Sequence, residues 1–212
     1  MKQNVLVVIV AAVSLLVGVL LAVTLSNSES AEPKYLQMYP QARQLADFEL
    51  YNQRGEAVTK ETLRDHWTLT FVGYTFCPDI CPTTLAELKR IYPELQKIES
   101  EYPIQVLFLS VDPNRDTQSR LDEYVQFFNP DFIAASAEHK QLFPLVRSMG
   151  MMYAISDNIE NPNYLVDHSS SIIVIDPSAN VIGRFKPHQE PGKLAVSDGD
   201  QILADMPNLV NL

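Results

Sequence analysis

The chain predicts an α/β domain, a mixed sheet flanked by helices, with an N-terminal β-hairpin and one long apolar helix ahead of it. Three observations carry this. Short runs of β-branched and aromatic residues alternate with stretches whose apolar residues recur at helical spacing. Ser170–Ile175 and Val181–Phe185 are separated only by Asp176-Pro177-Ser178-Ala179-Asn180, which makes a hairpin and not a crossover. Residues 5–25 are almost unbroken apolar sequence, interrupted by Ser14, Gly18 and Thr24.

The N-terminal run of 21 residues, at about 1.5 Å per helical residue, reaches roughly 30 Å, the depth of a bilayer core. It exceeds a secretory h-region of about 7–15 residues, and no Ala-x-Ala site follows, so an uncleaved signal anchor is expected over a cleaved signal. Lys2 precedes the run, while Ser26–Glu32 carries two acids and no base. The positive-inside rule then leaves the N-terminus in the cytoplasm. The first residues are not Arg- and Ser-rich, so no mitochondrial transit peptide is apparent. The expected address is a single-pass protein of the bacterial inner membrane, its domain facing the periplasm. The expected organisation is a cytoplasmic tip and transmembrane anchor over 1–25, a polar tether over 26–45 with Pro33 and Pro40, and one domain over 46–212.

Within that domain, Phe48–Tyr51 and Glu56–Val58 bracket Asn52-Gln53-Arg54-Gly55 as a hairpin. A short helix or turn follows Thr59. Trp67–Tyr74 reads as a buried strand. Leu85, Leu88, Ile91, Leu95 and Ile98 place a helix over Thr83–Tyr102, opened by Pro82 and kinked or split at Pro93. Ile104–Val111 is the next strand, and Thr117–Phe128 an amphipathic helix capped by Asp116 or Thr117. A short strand at Phe132–Ala134, a helix over Glu138–Met149 stopped by Gly150, and a strand at Met151–Ile155 come next. A loop over Asp157–Asp167 leads to the late hairpin, and a last helix starts near Ser197 and ends before Pro207. This order is thioredoxin-like.

Sixteen basic against twenty-six acidic residues leave a net charge of −10, which disfavours nucleic acid and anionic headgroups as partners and suits the collection of cations. The only two cysteines lie in Cys77-Pro78-Asp79-Ile80-Cys81. With Pro82 opening the helix, Cys81 is expected at its N-cap and Cys77 in the preceding turn. A helix N-terminus lowers a thiol's pKa, and a thiolate is both a nucleophile and a soft metal ligand. A bridge closing so short a loop adds little stability, so a purely structural disulfide is disfavoured. Two readings remain: a soft-metal site or a dithiol–disulfide couple.

A metal needs further donors, and His66, His139, His168 and His188 are the candidates. His168 stands apart because it immediately precedes a strongly apolar strand, and strand ends are common site positions. Taken alone it also reads as a hydrogen-bonded loop histidine. Two cysteines are too few for an iron–sulfur cluster, and structural zinc requires a fourth donor. Two thiolates with one imidazole suit Cu(I) and also hold Cu(II). Met149, Met151 and Met152 form a sulfur-rich cluster that is more simply core filler.

Three segments together resemble the SCO/SenC copper proteins, membrane-tethered thioredoxin-like domains that help assemble cytochrome c oxidase. They are Thr75–Thr84, which spans the cysteine loop, Ser110–Thr117, and Asp167-His168-Ser169-Ser170. The resemblance implies that Cys77, Cys81 and His168 ligate copper and that Asp112 and Arg115 shape the site's neighbourhood. Asp79 is expected to orient the cysteine loop through backbone hydrogen bonds, and Arg115 has the alternative of a surface pair with Asp116. Phe76 departs from the family pattern, where a polar residue is common. The resemblance also implies a metallochaperone serving the dinuclear copper centre of cytochrome c oxidase subunit II or another cuproprotein, with other copper carriers or thiol reductants as further partners. A thiol–disulfide reductase and a copper or redox sensor are the rivals.

Overall fold

The computed structural model describes residues 10–20, 32–155, 160–189, 192 and 194–211. The chain divides into an N-terminal unit and a folded unit over Pro33–Asn211. In the N-terminal unit residues 10–20 are helical (α1). Among the described residues no helix is long and apolar enough to cross a membrane. The expected span over 5–25 lies partly outside them.

The folded unit is a mixed α/β structure of thioredoxin-like order. Its centre is β4 (Trp67–Gly73) and β5 (Ile104–Ser110), paired in parallel from Trp67 opposite Ile104 to Gly73 opposite Ser110. Every residue of β4 is buried, so both faces of the central strand are covered, as its continuous apolar run requires. β6 (Ile133–Ser136) extends the parallel side. β9 (Ile172–Ile175) and β10 (Asn180–Phe185) form the late hairpin, antiparallel to each other, and β9 pairs antiparallel with β4. β2 (Leu50–Asn52) and β3 (Ala57–Val58) form the predicted hairpin and close the far edge against β6. The Asn52 side chain accepts from the Arg54 and Glu56 amides at 2.9 Å, and Gly55 supplies the positive φ of +78° that the turn demands. With β1 (Gln37–Gln44) at one edge, the eight strands run β1-β10-β9-β4-β5-β6-β2-β3, and β7 (Tyr153–Ile155) with β8 (Val166–His168) makes a separate two-stranded ribbon.

The helices are α2 (Lys60–Leu63), α3 (Ile80–Leu95), α4 (Gln118–Phe128), α5 (His139–Ser148) and α6 (Gly199–Leu209). Thr117 caps α4 by accepting from the Arg120 amide, and Gly150 takes φ +79° after α5. Tyr74, Phe71, Phe108, Phe132 and Phe185 are the largest fully buried side chains of the core.

The structure corrects four expectations. Residues 26–45 are not a tether throughout: Gln37–Gln44 forms β1, an edge strand antiparallel to β10 with a register shift between Met38 and Arg43. Its side chains are mostly exposed, so an edge strand held by backbone bonds carries no apolar alternation to betray it. The helix after the cysteine loop begins at Ile80, three residues early, and ends at Leu95 without splitting at Pro93. Pro93 sits in its last turn, and the helix continues through it. α6 likewise runs through Pro207. Arg115 pairs with Asp112, not Asp116, which is buried.

At the start of the folded unit, buried Asp205 of α6 accepts the successive amides of Lys34, Tyr35 and Leu36 at 2.8, 2.6 and 2.7 Å. Charged acceptors of this kind are strong, and deleting one strands its donors. Asp205→Ala is therefore expected to cost about 2–3 kcal/mol in urea unfolding and to speed amide exchange over residues 34–44 ahead of the central strands.

Candidate metal centre

The parallel register of β4 and β5 sets the site. Both strands end at the same level, so the segments leaving them, Tyr74–Cys77 and Val111–Asp116, emerge side by side at the carboxyl edge of the sheet. Asp116 ties the two together. Buried at that edge, its carboxylate accepts from the Thr75 amide at 2.9 Å, the Thr75 hydroxyl at 2.7 Å and the Ser110 hydroxyl at 2.6 Å. Burial pushes its pKa up, and the Ser110 and Thr75 bonds oppose that rise.

α3 then starts directly under the cysteines. Asp79 is the N-cap residue, although its side chain makes no capping bond, and Cys81 lies in the first turn instead of at the cap as expected. The first amides of a helix have no partner within it, and that of Cys81 points at Cys77 Sγ, 3.4 Å away. Asp79 acts through its backbone: its carbonyl accepts from the Thr83 amide at 3.3 Å and the Thr83 hydroxyl at 2.7 Å, and its own amide lies against the Cys77 sulfur. Cys81 is fully buried, its Sγ seated on bare backbone at Gly73. A Cβ at Gly73 would stand 2.7 Å from that sulfur and 2.9 Å from the Phe108 ring, so only glycine leaves room.

The third group arrives from far along the chain. β8 ends at His168, which pairs with Tyr153 of β7. Its ring stands edge-on to Phe71 and Tyr74, with centroids 6.0 and 5.8 Å away. Nδ1 is 3.2 Å from the Ser169 carbonyl, which only accepts, so Nδ1 carries the proton and Nε2 turns its lone pair toward Cys81 Sγ at 3.3 Å. Cys77 Sγ, Cys81 Sγ and a nitrogen of His168 all lie within 4.8 Å of one another. Both cysteines are free thiols. Cys77 and His168 line a cleft of about 180 Å³ bordered by Pro78, Asp79, Leu165 and Asp167, while Cys81 is buried.

The two thiols divide their protons unequally. Donation from the Cys81 thiol, and from the Cys81 and Asp79 amides, brings Cys77 down to about 4 against the opposing effect of burial. Burial, and then the charge and hydrogen bond of Cys77, push Cys81 far up. One proton stays on Cys81, within reach of both Cys77 Sγ and His168 Nε2.

The remaining predicted residues fall into two groups. Buried Asp112 accepts from Arg115 Nε at 2.5 Å, and the Arg115 guanidinium lies over the rings of Tyr164, Phe76 and Tyr74 at 3.5, 4.8 and 5.6 Å. Both stand beside the cluster without joining it. His66 is half-buried near the Arg64 carbonyl, His139 meets the Tyr153 hydroxyl at 2.8 Å, and His188 is in an isolated bridge with Val196. Met149 and Met151 are buried in the core, while Met152 is 75% exposed, so the methionines do not gather at the sulfur pair. Sequence reasoning missed Gly73, Asp116 and Tyr164. Only Tyr164 left a trace, as an aromatic residue set just before the histidine segment.

A SCO1/SenC family model matches residues 37–198. A SCO2-like protein of Rickettsia felis is 32% identical over 199 residues, covering 92% of this chain and 96% of its own. The copper-bound crystal structure of ScoI from Arabidopsis thaliana superposes with a TM-score of 0.64 at 28% identity, covering 77% of this chain and 95% of that one. Copper-bound ScoI from Bradyrhizobium japonicum gives 0.63 at 27% identity, covering 76% and 96%.

A thiol titration tests the proton arrangement. An ordinary thiol ionises near 8.5, so between about 4 and about 8.5 the native pair holds one proton fewer than the unfolded pair. Folding stability from this pair therefore rises with pH across that window and falls above it, where Cys81 still holds a proton that the unfolded chain has lost. Thiolate absorbance is expected to show one step near pH 4 that is absent in Cys77→Ser, with no second step below pH 9.

Proposed function

This chain belongs to the SCO1/SenC family, and we propose that Cys77, Cys81 and His168 bind copper for delivery to the dinuclear copper centre of cytochrome c oxidase during its assembly. The observation that carries the reading is the convergence of two thiols and one imidazole lone pair within 4.8 Å. Donors around a single ion at about 2.0–2.3 Å stand roughly 3.5–4 Å apart, so the apo spacing needs only small adjustment. Two soft sulfurs and one nitrogen suit Cu(I) and accept Cu(II), and fall short of the four ligands of structural zinc. The copper-bound ScoI relatives support the same choice.

The mechanism follows from the asymmetry of the thiols. Cys77 is half-buried, borders the open cleft and is already ionised, so it is the first protein ligand to meet incoming Cu(I). Closing the site then requires Cys81 to give up its proton, and the thiol pair releases one proton per copper at neutral pH. Departure reverses the order. A thiolate of the acceptor enters through the cleft, replaces Cys77, and then displaces the buried Cys81 and His168, so coordination number stays low throughout. Residues 5–25 would anchor the domain in the bacterial inner membrane facing the periplasm, and the segment after Ser26 up to the start of β1 would serve as the tether. Tethering to the acceptor's own membrane raises its effective concentration.

The low pKa of the accessible Cys77 also favours a second reading, reduction of a target disulfide. Its thiolate would attack one target sulfur and release the other as a thiolate. Cys81 would then displace the first, leaving a Cys77–Cys81 disulfide, and an external dithiol would restore the pair. His168 separates the two readings, since only copper binding requires the imidazole. Copper titration of residues 33–212 is expected to give one tight equivalent. Cys77→Ser, Cys81→Ser and His168→Ala should each lose more than about 100-fold in affinity, beyond what a change outside the ligands costs. A His168→Ala protein that binds as tightly as wild type, while reducing disulfide substrates, would replace the chaperone by the reductase.

A further inference from the structure

His168 lies on a ribbon that no ladder connects to the eight-stranded sheet among the described residues, yet its partners Cys77 and Cys81 are fastened to that sheet. Some other contact has to hold the imidazole at ligand distance. Tyr164 supplies it. This residue is 3% exposed and precedes β8 by two positions. Its hydroxyl donates to Asp112 Oδ1, and the Arg115 guanidinium lies 3.5 Å above its ring while donating from Nε to Asp112 Oδ2. Arg115 Nη1 also donates to the Pro162 carbonyl at 3.1 Å, on the same approach to β8. Asp112 belongs to the segment that leaves β5, and the same guanidinium reaches Phe76, the neighbour of Cys77, with 4.8 Å to the ring centroid. A single buried group thus touches both the cysteine loop and the approach to the histidine strand.

We propose that Tyr164 is a positioning residue that, clamped by Asp112 and Arg115, sets the separation between His168 and the sulfur pair. The proposal rests on the three-donor reading of the site. The clamp has two separable parts, a hydroxyl bond and a stacked ring. Tyr164→Phe removes the first and keeps the second, whereas Tyr164→Leu removes both. Arg115→Lys keeps a charge beside Asp112 but loses the planar group that stacks and the fork that reaches Pro162. With the clamp open, Cu(I) remains held by two sulfurs while the nitrogen is supplied only part of the time, and Cu(II), which depends more on the third donor, is held worse.

The test is a mutant cycle read in copper affinity, in the Cu(II)–thiolate charge-transfer band and in amide exchange of the copper-free protein. Tyr164→Leu and Arg115→Lys are each expected to weaken Cu(I) binding about 10–100-fold and Tyr164→Phe by less than about tenfold. The Cu(II) band should weaken in the same order. In the copper-free state, Leu165–His168 should exchange faster in Tyr164→Leu while β5 exchanges as in wild type. Placed in a His168→Ala background, Tyr164→Leu and Arg115→Lys should have no further effect on Cu(I) affinity, because the clamp acts only through that imidazole. Equal losses with and without His168, or wild-type affinity in both clamp variants, would overturn the proposal. If His168→Ala by itself leaves affinity unchanged, the three-donor reading fails, a result distinct from failure of the clamp.

Discussion

The site depends on a buried carboxylate joining the ends of two parallel strands. Asp116 receives the Thr75 amide and hydroxyl from the segment after β4 and the Ser110 hydroxyl from the end of β5. A carboxylate in an apolar setting is tolerated only when its oxygens are satisfied, so its three short bonds leave the Cys77 loop little freedom. The loop then enters α3 at a defined height, the first-turn amide of Cys81 aims at Cys77, and the Cys81 sulfur comes to rest on Gly73. Electrostatics follows from that placement. The shielded sulfur keeps the proton and the one beside the cleft loses it, so an accessible nucleophilic sulfur sits next to a closed one.

This division of roles links the fold to the chemistry. A carrier needs an entry point where an ion can be exchanged and an interior position that retains it during exchange. Cys77 has the exposure and charge of the first, and Cys81, with the lone pair of His168 3.3 Å away, has the seclusion of the second. The same pair is poised for disulfide chemistry, since a thiolate beside a protonated thiol is the resting state of a dithiol reductant. The imidazole marks the difference, because thiol exchange has no need of a nitrogen donor facing both sulfurs.

Much of this was legible in the chain. The strands β4, β5, β9 and β10 announced themselves as apolar runs, and the turn at Asn52–Gly55 by its residue types. Cys77, Cys81 and His168 were found through three short segments that carry a family likeness. What escaped has physical causes. β1 is exposed along nearly its whole length and is recognised only by its partner, β10. The prolines at 93 and 207 read as breaks, yet each lies in the last turn of a helix that continues through it, and where a helix ends is not written in its apolar spacing. Arg115 had two aspartates in reach along the sequence, and the Thr75 and Ser110 bonds that occupy Asp116 come from segments no local pattern brings there. Gly73 and Tyr164 act through groups distant in sequence, a sulfur eight residues on and a carboxylate 52 residues back, and no local pattern encodes either contact.

The central claim is that two sulfurs and one nitrogen of this chain enclose a single copper ion. X-ray absorption at the copper edge of the Cu(I)-loaded domain addresses it directly. The account predicts a first shell of two sulfur scatterers and one nitrogen in the wild type, with the nitrogen lost in His168→Ala. A wild-type shell of sulfur alone, or one of nitrogen and oxygen without sulfur, would contradict it.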